Sequence, residues 1–277
     1  MRKLGIVAGQ GDLPIMLIKA CQEQGRPFHV LALKEHADPA RYAAGLPVSW
    51  IRLGEVGKSL KIARENGVED IVMIGGVRRP SFLQIRPDWR GLKFFSKAGL
   101  KALGDDGLLK AAISEIEKEG FRVIGADEIL KDCVSTQGVY GKVKPDKQAL
   151  QDIAKGYEVA KKLGEADVGQ SIVVADGLIL GVEAIEGTDA LIMRSGSLAR
   201  SKVKPVLVKV KKPQQERRVD LPTVGVQTVE NAFSAGFGGI AVEAGATFVV
   251  DRQAVVKKAN ELGLFVMGVD EKCLKNA

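Results

Sequence analysis

Histidine and cysteine are scarce in this 277-residue sequence, with two His and three Cys. Cys21, Cys133 and Cys273 are odd in number, far apart and without zinc-ligand or disulfide spacing, which points to reduced thiols in a cytoplasmic protein. His29 and His36 lie early in the chain with no partner at metal spacing, so a His-based zinc centre and a Ser-His-Asp triad are unsupported. Aromatic residues are few: two Trp, three Tyr and nine Phe. No nucleic-acid motif accompanies the net charge of +7, and nucleic acid is not expected as a partner. No run reaches the ~18 apolar residues of a membrane span. The apolar stretch after Met1-Arg2-Lys3 is too short for a signal peptide. Membrane contact, where it occurs, is therefore expected to be peripheral.

Glycine, by contrast, is plentiful at 32 residues, and it falls at the ends of apolar runs. Leu4–Ala8 reads as a buried strand, followed by Gly9-Gln10-Gly11 and a helix that stops at Gly25. Further strands are expected at Phe28–Leu33, Ser49–Leu53 and Ile71–Ile74. Glycine turns containing Gly54, Gly57, Gly75 and Gly76 follow the last two. Strand, glycine turn and helix in repetition predict an open parallel sheet of Rossmann-like α/β type, with ligands met beyond the carboxyl ends of the strands. The dinucleotide fingerprint is incomplete after Gly11, and Gly57-Lys58-Ser59 lacks the first glycine of a phosphate loop. NAD and ATP chemistry are therefore weak readings, while Lys58 stays a candidate anion contact. Residues 78–97 hold Arg78, Arg79, Arg86, Arg90, Lys93 and Lys97 against Asp88 alone, interleaved with Phe82, Trp89, Phe94 and Phe95. That pattern suits an anionic lipid surface or an amphiphilic ligand, and equally a helical subdomain with an aromatic core. The first domain is expected over residues 1–130.

Residues 131–146 lack a regular pattern and are expected to form a linker; residues 147–277 form a second, mixed α/β domain. Asp176-Gly177 between two apolar runs signals a hairpin. Glu183, Glu186 and Asp189 at the end of its second strand are candidate magnesium ligands, since this ion prefers carboxylate and phosphate oxygen. They equally suit the start of a helix with Thr188 as its cap. From Arg194 to Arg218 nine Lys or Arg meet only Glu216. Lys209 and Lys211 alternate with Val208 and Val210, as on a half-buried strand presenting cations to one side. This band runs into Asp220-Leu221-Pro222-Thr223, where proline stiffens the backbone after a carboxylate. Asp220 either caps the structure that follows or binds a metal or orients a water. The cations in front of it make an anionic ligand such as phosphate more credible.

In order, the chain carries Gly9-x-Gly11-x-Leu13-Pro14, Gly75-Gly76-Val77-x-Arg79-Pro80, Gly104-Asp105-Asp106, Gly169-Gln170, Glu186-Gly187-Thr188-Asp189 and Arg218-Val219-Asp220-Leu221-Pro222-Thr223-Val224-Gly225. This set resembles the UDP-2,3-diacylglucosamine pyrophosphatases of the LpxI type, which act in lipid A biosynthesis. The resemblance spans essentially the whole chain, with Gln10 standing where relatives often have another Gly. It implies magnesium-dependent hydrolysis of UDP-2,3-diacylglucosamine to UMP and 2,3-diacylglucosamine 1-phosphate (lipid X), with water attacking the sugar-side phosphorus. It also implies a homodimer, peripheral on the inner face of the inner membrane. By motif match Asp220 takes the essential acid position. Asp189 and Glu186 are expected beside it as further magnesium ligands. Gly11, Lys58, Gly75, Gly76, Arg79, Gln170, Thr188, Asp189, Lys209, Lys211 and Thr223 are expected to hold the substrate. The rival readings are a non-catalytic binder of nucleotide sugar or anionic lipid, and a Rossmann-type oxidoreductase.

Overall fold

A computed structural model describes residues 1–77, 87–98, 105–199 and 202–275. The chain divides into two compact units, Met1–Lys131 with Glu216–Asp220, and Asp132–Gln215 with Leu221–Ala277.

The first unit contains β1 (Leu4–Ala8), α1 (Leu13–Glu23), β2 (Phe28–Leu33), β3 (Val48–Ile51), α2 (Val56–Glu65), β4 (Asp70–Ile74), α3 (Trp89–Ala98), α4 (Asp105–Lys118) and β5 (Arg122–Val123). Its five strands are all parallel, in the order β3-β2-β1-β4-β5. Strand order reverses between β1 and β4, and the Gly9–Gly11 and Gly75–Gly76 loops leave the carboxyl ends of those two strands. This is the Rossmann-like sheet expected from the strand–glycine–helix alternation, with the loops at the switch point where such sheets meet ligands. β1, β2 and β4 are nearly wholly buried, which is why they read as continuous apolar runs rather than alternating ones.

The second unit contains β6 (Gly138–Val139), α5 (Lys147–Glu165), β7 (Ser171–Ala175), β8 (Leu178–Val182), α6 (Thr188–Gly196), β9 (Val206–Lys209), β10 (Thr223–Val224), α7 (Val226–Ser234), β11 (Gly239–Glu243), β12 (Phe248–Val249), α8 (Arg252–Leu262), β13 (Phe265–Val269) and α9 (Glu271–Lys275). Six strands form a mixed sheet in the order β6-β13-β11-β9-β7-β8, with β13, β11 and β9 parallel and the others antiparallel to their neighbours. Side chains alternate across it. Val206, Val208, Ile172 and Val174 pack with Ile153 and Ala160 of α5. Leu207, Val173, Ile240 and Val242 pack with Leu191 and Ile192 of α6, Val229 and Ala232 of α7, and Val255 and Ala259 of α8. The β7–β8 hairpin turns at Asp176-Gly177, both with positive φ (52° and 72°), as a type I′ turn demands. Asp152 of α5 is fully buried and accepts from the Asp176 and Gly177 amides at 2.9 and 2.7 Å, locking that turn.

Two features depart from the sequence-based expectation. The segment expected as a linker is built into the second unit: Gly138–Val139 pairs with β13, Val134 bridges Phe248, and the Ser135 amide donates to the Thr247 carbonyl at 2.8 Å. These bonds are backbone-mediated and need no apolar pattern, so periodicity could not announce them. β9 is not half-buried either; it lies between β11 and β7, and Lys209 itself is 6% exposed.

Candidate functional site

Asp220 ends a single helical turn, Glu216–Asp220, in which the Val219 and Asp220 amides donate to the Glu216 carbonyl at 3.2 and 3.1 Å. The turn groups with the first unit, although the residues on either side of it belong to the second. Ion pairs fasten it there. Arg217 donates to Asp127 Oδ2 at 2.9 and 3.0 Å. Arg218 donates to Glu117 Oε1 at 2.7 Å and to both Glu216 oxygens at 3.0 and 3.1 Å. Arg218's hydrogen bonds hold the Glu216 carboxyl below its ordinary range, and the two acids together push the guanidinium pKa up. Arg217 and Arg218, the cations nearest Asp220, are therefore partners of acids that position its turn. Asp127 and Glu117 carried no local signal, lying 90 and 101 residues away in sequence.

The chain continues from Asp220 into buried Leu221 and Pro222, whose carbonyl accepts from the Phe248 amide at 2.8 Å. Thr223 and Val224 pair with β12, and the Thr223 hydroxyl turns back to the Leu221 carbonyl at 3.3 Å. Helix α7 is capped by Gly225, whose amide donates to Thr228 Oγ1 at 3.2 Å. Asp220 lies five residues before that cap, so helix capping is not its role.

The polar centre of the second unit is a row across three strands at the carboxyl end of β9. Lys209 pairs in register with Ser171 at the start of β7, whose carbonyl accepts from the Glu183 amide just beyond β8. Lys209 Nζ donates to Thr188 Oγ1 at 2.8 Å, and that hydroxyl donates to Glu183 Oε1, also at 2.8 Å. Lys209 and Glu183 are nearly fully buried. Glu183 Oε2 and Ser171 Oγ are buried without a hydrogen-bond partner among the described residues. Thr188 opens α6 behind Gly187, which has a φ of 83°. Gln170, one residue before β7, gives its backbone carbonyl to the Val210 amide at 2.9 Å and its side-chain oxygen to Gln215 at 3.4 Å.

The structure does not bring Lys211 to this row. Its ammonium lies on the Lys212, Pro213 and Gln215 carbonyls at 2.9, 3.4 and 3.3 Å. Its amide donates to Glu243 Oε2 at 2.8 Å. Glu243, at the end of β11, also accepts from Lys161 at 2.7 Å through both oxygens and from the Tyr157 hydroxyl at 3.3 Å. Burial and then the Glu243 charge raise the Tyr157 pKa, so this phenol stays protonated. Glu243 and Lys161 organise the exit of β9, and in the sequence an apolar strand and an amphipathic helix mask them.

In the first unit the glycine corners serve first to zip two loops together. The Gln10 amide donates to the Gly76 carbonyl at 2.8 Å, and the Gly76 amide to the Gln10 carbonyl at 3.0 Å. A Cβ on Gly75, whose φ is 96°, would stand 2.7 Å from the Gln10 carbonyl oxygen, so only glycine closes this contact. Beside the Gly9–Gly11 loop opens a cavity of about 250 Å³ lined also by Ile15, His36, Asp38, Arg41 and Tyr42. Arg41 forms part of its wall by donating to the Gly11 carbonyl at 2.8 Å and to Asp12 at 2.6 Å. Lys58 is half-exposed in the first turn of α2, paired with Glu55 at 3.1 Å. Arg79 lies outside the described residues.

The expected metal ligands have other engagements. Glu186 is held by Arg194 at 2.7 Å, which lowers its pKa, and Asp189 accepts from Asn231 at 2.9 Å. Among the described residues no three His, Cys, Asp or Glu side chains converge as a metal-holding group. No described helix is long and apolar enough to cross a membrane.

One parallel Rossmann-like sheet and one mixed sheet, with an acid on a turn stapled by arginines, define a two-unit α/β protein. Residues 3–133 match the LpxI N-terminal domain and residues 136–267 the LpxI C-terminal domain, and the chain belongs to the LpxI family. It is 44% identical, over 98% of each chain, to UDP-2,3-diacylglucosamine pyrophosphatase LpxI of Caulobacter vibrioides. Two solved structures match it distantly. CobK precorrin-6A reductase is 12% identical with a TM-score of 0.34, over 98% of this chain and 88% of that one. dTDP-glucose 4,6-dehydratase of Bacillus anthracis, in complex with NAD, is 10% identical with a TM-score of 0.35, over 100% and 90%.

Proposed function

We propose that the protein hydrolyses UDP-2,3-diacylglucosamine at its diphosphate, giving UMP and 2,3-diacylglucosamine 1-phosphate. The observation that carries this reading is family membership over both halves of the chain, with 44% identity to a pyrophosphatase of that name. The reaction consumes one water, whose oxygen bonds to the sugar-side phosphorus while the bridging oxygen leaves with UMP. Asp220 orients that water and takes its proton, a role suited to a carboxylate on a fixed turn. Magnesium, when bound, supplies charge neutralisation on the diphosphate. Asp220 would hold it, and one carboxylate with phosphate oxygens and waters is an ordinary magnesium environment, so a cluster of three acids is not required. Lys209 supplies positive charge to phosphate oxygens, and Thr188 fixes its position. The enzyme works as a homodimer, peripheral on the inner face of the inner membrane, where its two-chain substrate resides.

The test is to incubate the purified protein with UDP-2,3-diacylglucosamine, with and without magnesium, and to follow products by mass spectrometry. Magnesium-dependent UMP and lipid monophosphate are expected. Bound but intact substrate would leave a nucleotide-sugar or lipid binder, and the absence of both product and binding would sink the assignment. A narrower expectation concerns Thr188→Val, which keeps the side-chain shape but leaves Lys209 and Glu183 without their shared hydroxyl. It should cost about 1–3 kcal/mol of stability and raise KM several-fold, while Thr188→Ser retains both values. An unchanged KM in the Val variant would remove Thr188 and its hold on Lys209 from substrate binding.

A further inference from the structure

Helix α3 carries an outward face that the proposed chemistry does not use. Trp89, Leu92, Lys93 and Ser96 stand at i, i+3, i+4 and i+7, on one side of the helix. Trp89 is 80% exposed and Leu92 52%, and Lys93 and Ser96 are exposed beside them. The other side is fastened down. Gly91 is buried against the Gly54 carbonyl. Asp88 accepts from the Lys58 amide at 3.1 Å and the Gly91 amide at 2.7 Å. Arg90 donates to Glu119 at 2.9 Å. The helix is thus seated on one face and presents the opposite one, so Trp89 and Leu92 are not core residues of this unit.

Single exposed apolar residues are ordinary on protein surfaces. A tryptophan and a leucine on the outward side of an anchored helix, with exposed Lys93 beside them, are a different arrangement. In sequence, residues 78–97 carry six cations against Asp88 alone, and Asp88 is turned onto backbone amides. We propose that α3 docks the protein on an anionic lipid surface. Trp89 and Leu92 enter the boundary between head groups and acyl chains, and Lys93 meets the lipid phosphates. Tryptophan favours that boundary because its ring is apolar and its N–H is polar. An amphipathic helix lying in the plane of the interface needs only a shallow apolar strip with basic flanks. A protein partner fits less well, since a stable protein interface takes roughly 800 Å² per side, far more than a strip led by two apolar side chains offers. The inference rests on the proposed activity only in that an enzyme of a two-chain lipid must meet the bilayer.

The chain has two tryptophans, Trp50 and Trp89, so Trp50→Phe leaves Trp89 as the sole indole reporter. That variant is mixed with vesicles of phosphatidylcholine, alone or with phosphatidylglycerol, and both sedimentation and Trp89 emission are followed. With the anionic vesicles, co-sedimentation and a blue shift are expected, both weakening as salt rises. In the otherwise native chain, Trp89→Ser with Leu92→Ser should bind those vesicles at least tenfold more weakly, with its melting transition unchanged. Its turnover of detergent-dispersed substrate should equal that of the parent. Vesicle binding without a change in Trp89 emission, equal binding by the double variant, or no binding at all would overturn the proposal. So would a parent that self-associates without lipid through Trp89, which would give this face to a second copy of the chain. Failure of the activity reading shows separately, as vesicle binding with no turnover in detergent.

Discussion

Asp220→Ala is expected to lower kcat by about 10³-fold or more while leaving the Kd for substrate within a factor of about three. The size follows from removing the group proposed to position and deprotonate the attacking water, an effect usually worth about 10²- to 10⁴-fold, together with the lost charge on the proposed magnesium. Affinity is expected to persist because the proposed contacts to the substrate, Lys209 among them, are kept. The fold should persist too, since the Glu216–Asp220 turn is held by Arg217, Arg218 and two backbone amides, all of which the Ala variant keeps. Asp220→Asn keeps the shape and removes the charge, and it should be nearly as inactive. Single-turnover kinetics paired with calorimetric binding measures both quantities. A kcat within tenfold of the parent would take Asp220 out of the mechanism. A raised KM at constant kcat would make it a binding residue instead.

Many of the strands and helices could be read from the sequence because each carries its own periodicity or length of apolar run. Leu4–Ala8 and Phe28–Leu33 have the same bounds in the structure. Asp176-Gly177 announced its hairpin because few residue pairs accept two successive positive φ values. What escaped was held by pairings distant in sequence. Gly138–Val139 joins its sheet through backbone bonds, and the arginines before Asp220 find Asp127 and Glu117 90 and 101 residues away. Read locally, those cations suggested a phosphate site; in the structure they are staples. Lys209 was legible as an unusual cation but not as a buried one, because only the strand order puts β9 at the centre of its sheet. The weight on Asp220 came from its place in a recognisable motif, since nothing in the local residues separates a catalytic aspartate from a capping one.

The largest loss of stability is expected at Asp70, at the opposite end of the first sheet from the glycine loops. Its side chain is fully buried at the start of β4 and is met by Arg26 at 2.6 Å, by Arg122 through two bonds of 2.9 Å, and by Arg2 at 3.7 Å. Burial alone would raise its pKa. The Arg122 hydrogen bonds, with the charges of Arg122, Arg26 and Arg2, outweigh that and hold it below the ordinary aspartate value. Asp70→Ala would leave cations facing one another at the edge of the core, and losing one partner of a buried charge group costs about 3–5 kcal/mol. The lower end is expected, because Arg2 and Arg122 are more than half exposed and water screens them. The first unit should therefore melt on the order of 10 °C lower, while the exchange protection of β9, β11 and β13 stays unchanged. The pH dependence has a definite sign. A depressed folded pKa contributes stability above the unfolded value of about 3.9, and that contribution is lost as pH falls through the folded value. Asp70→Asn removes the titration, so its stability should flatten on the acid side where the parent's falls. Hydrogen exchange across the two sheets at pH 7, with melting curves from pH 7 downward, measures both effects. A loss under about 1 kcal/mol would mean that the arginines rehydrate freely once the carboxylate is gone, and that the pairing organises this edge of the sheet without stabilising it.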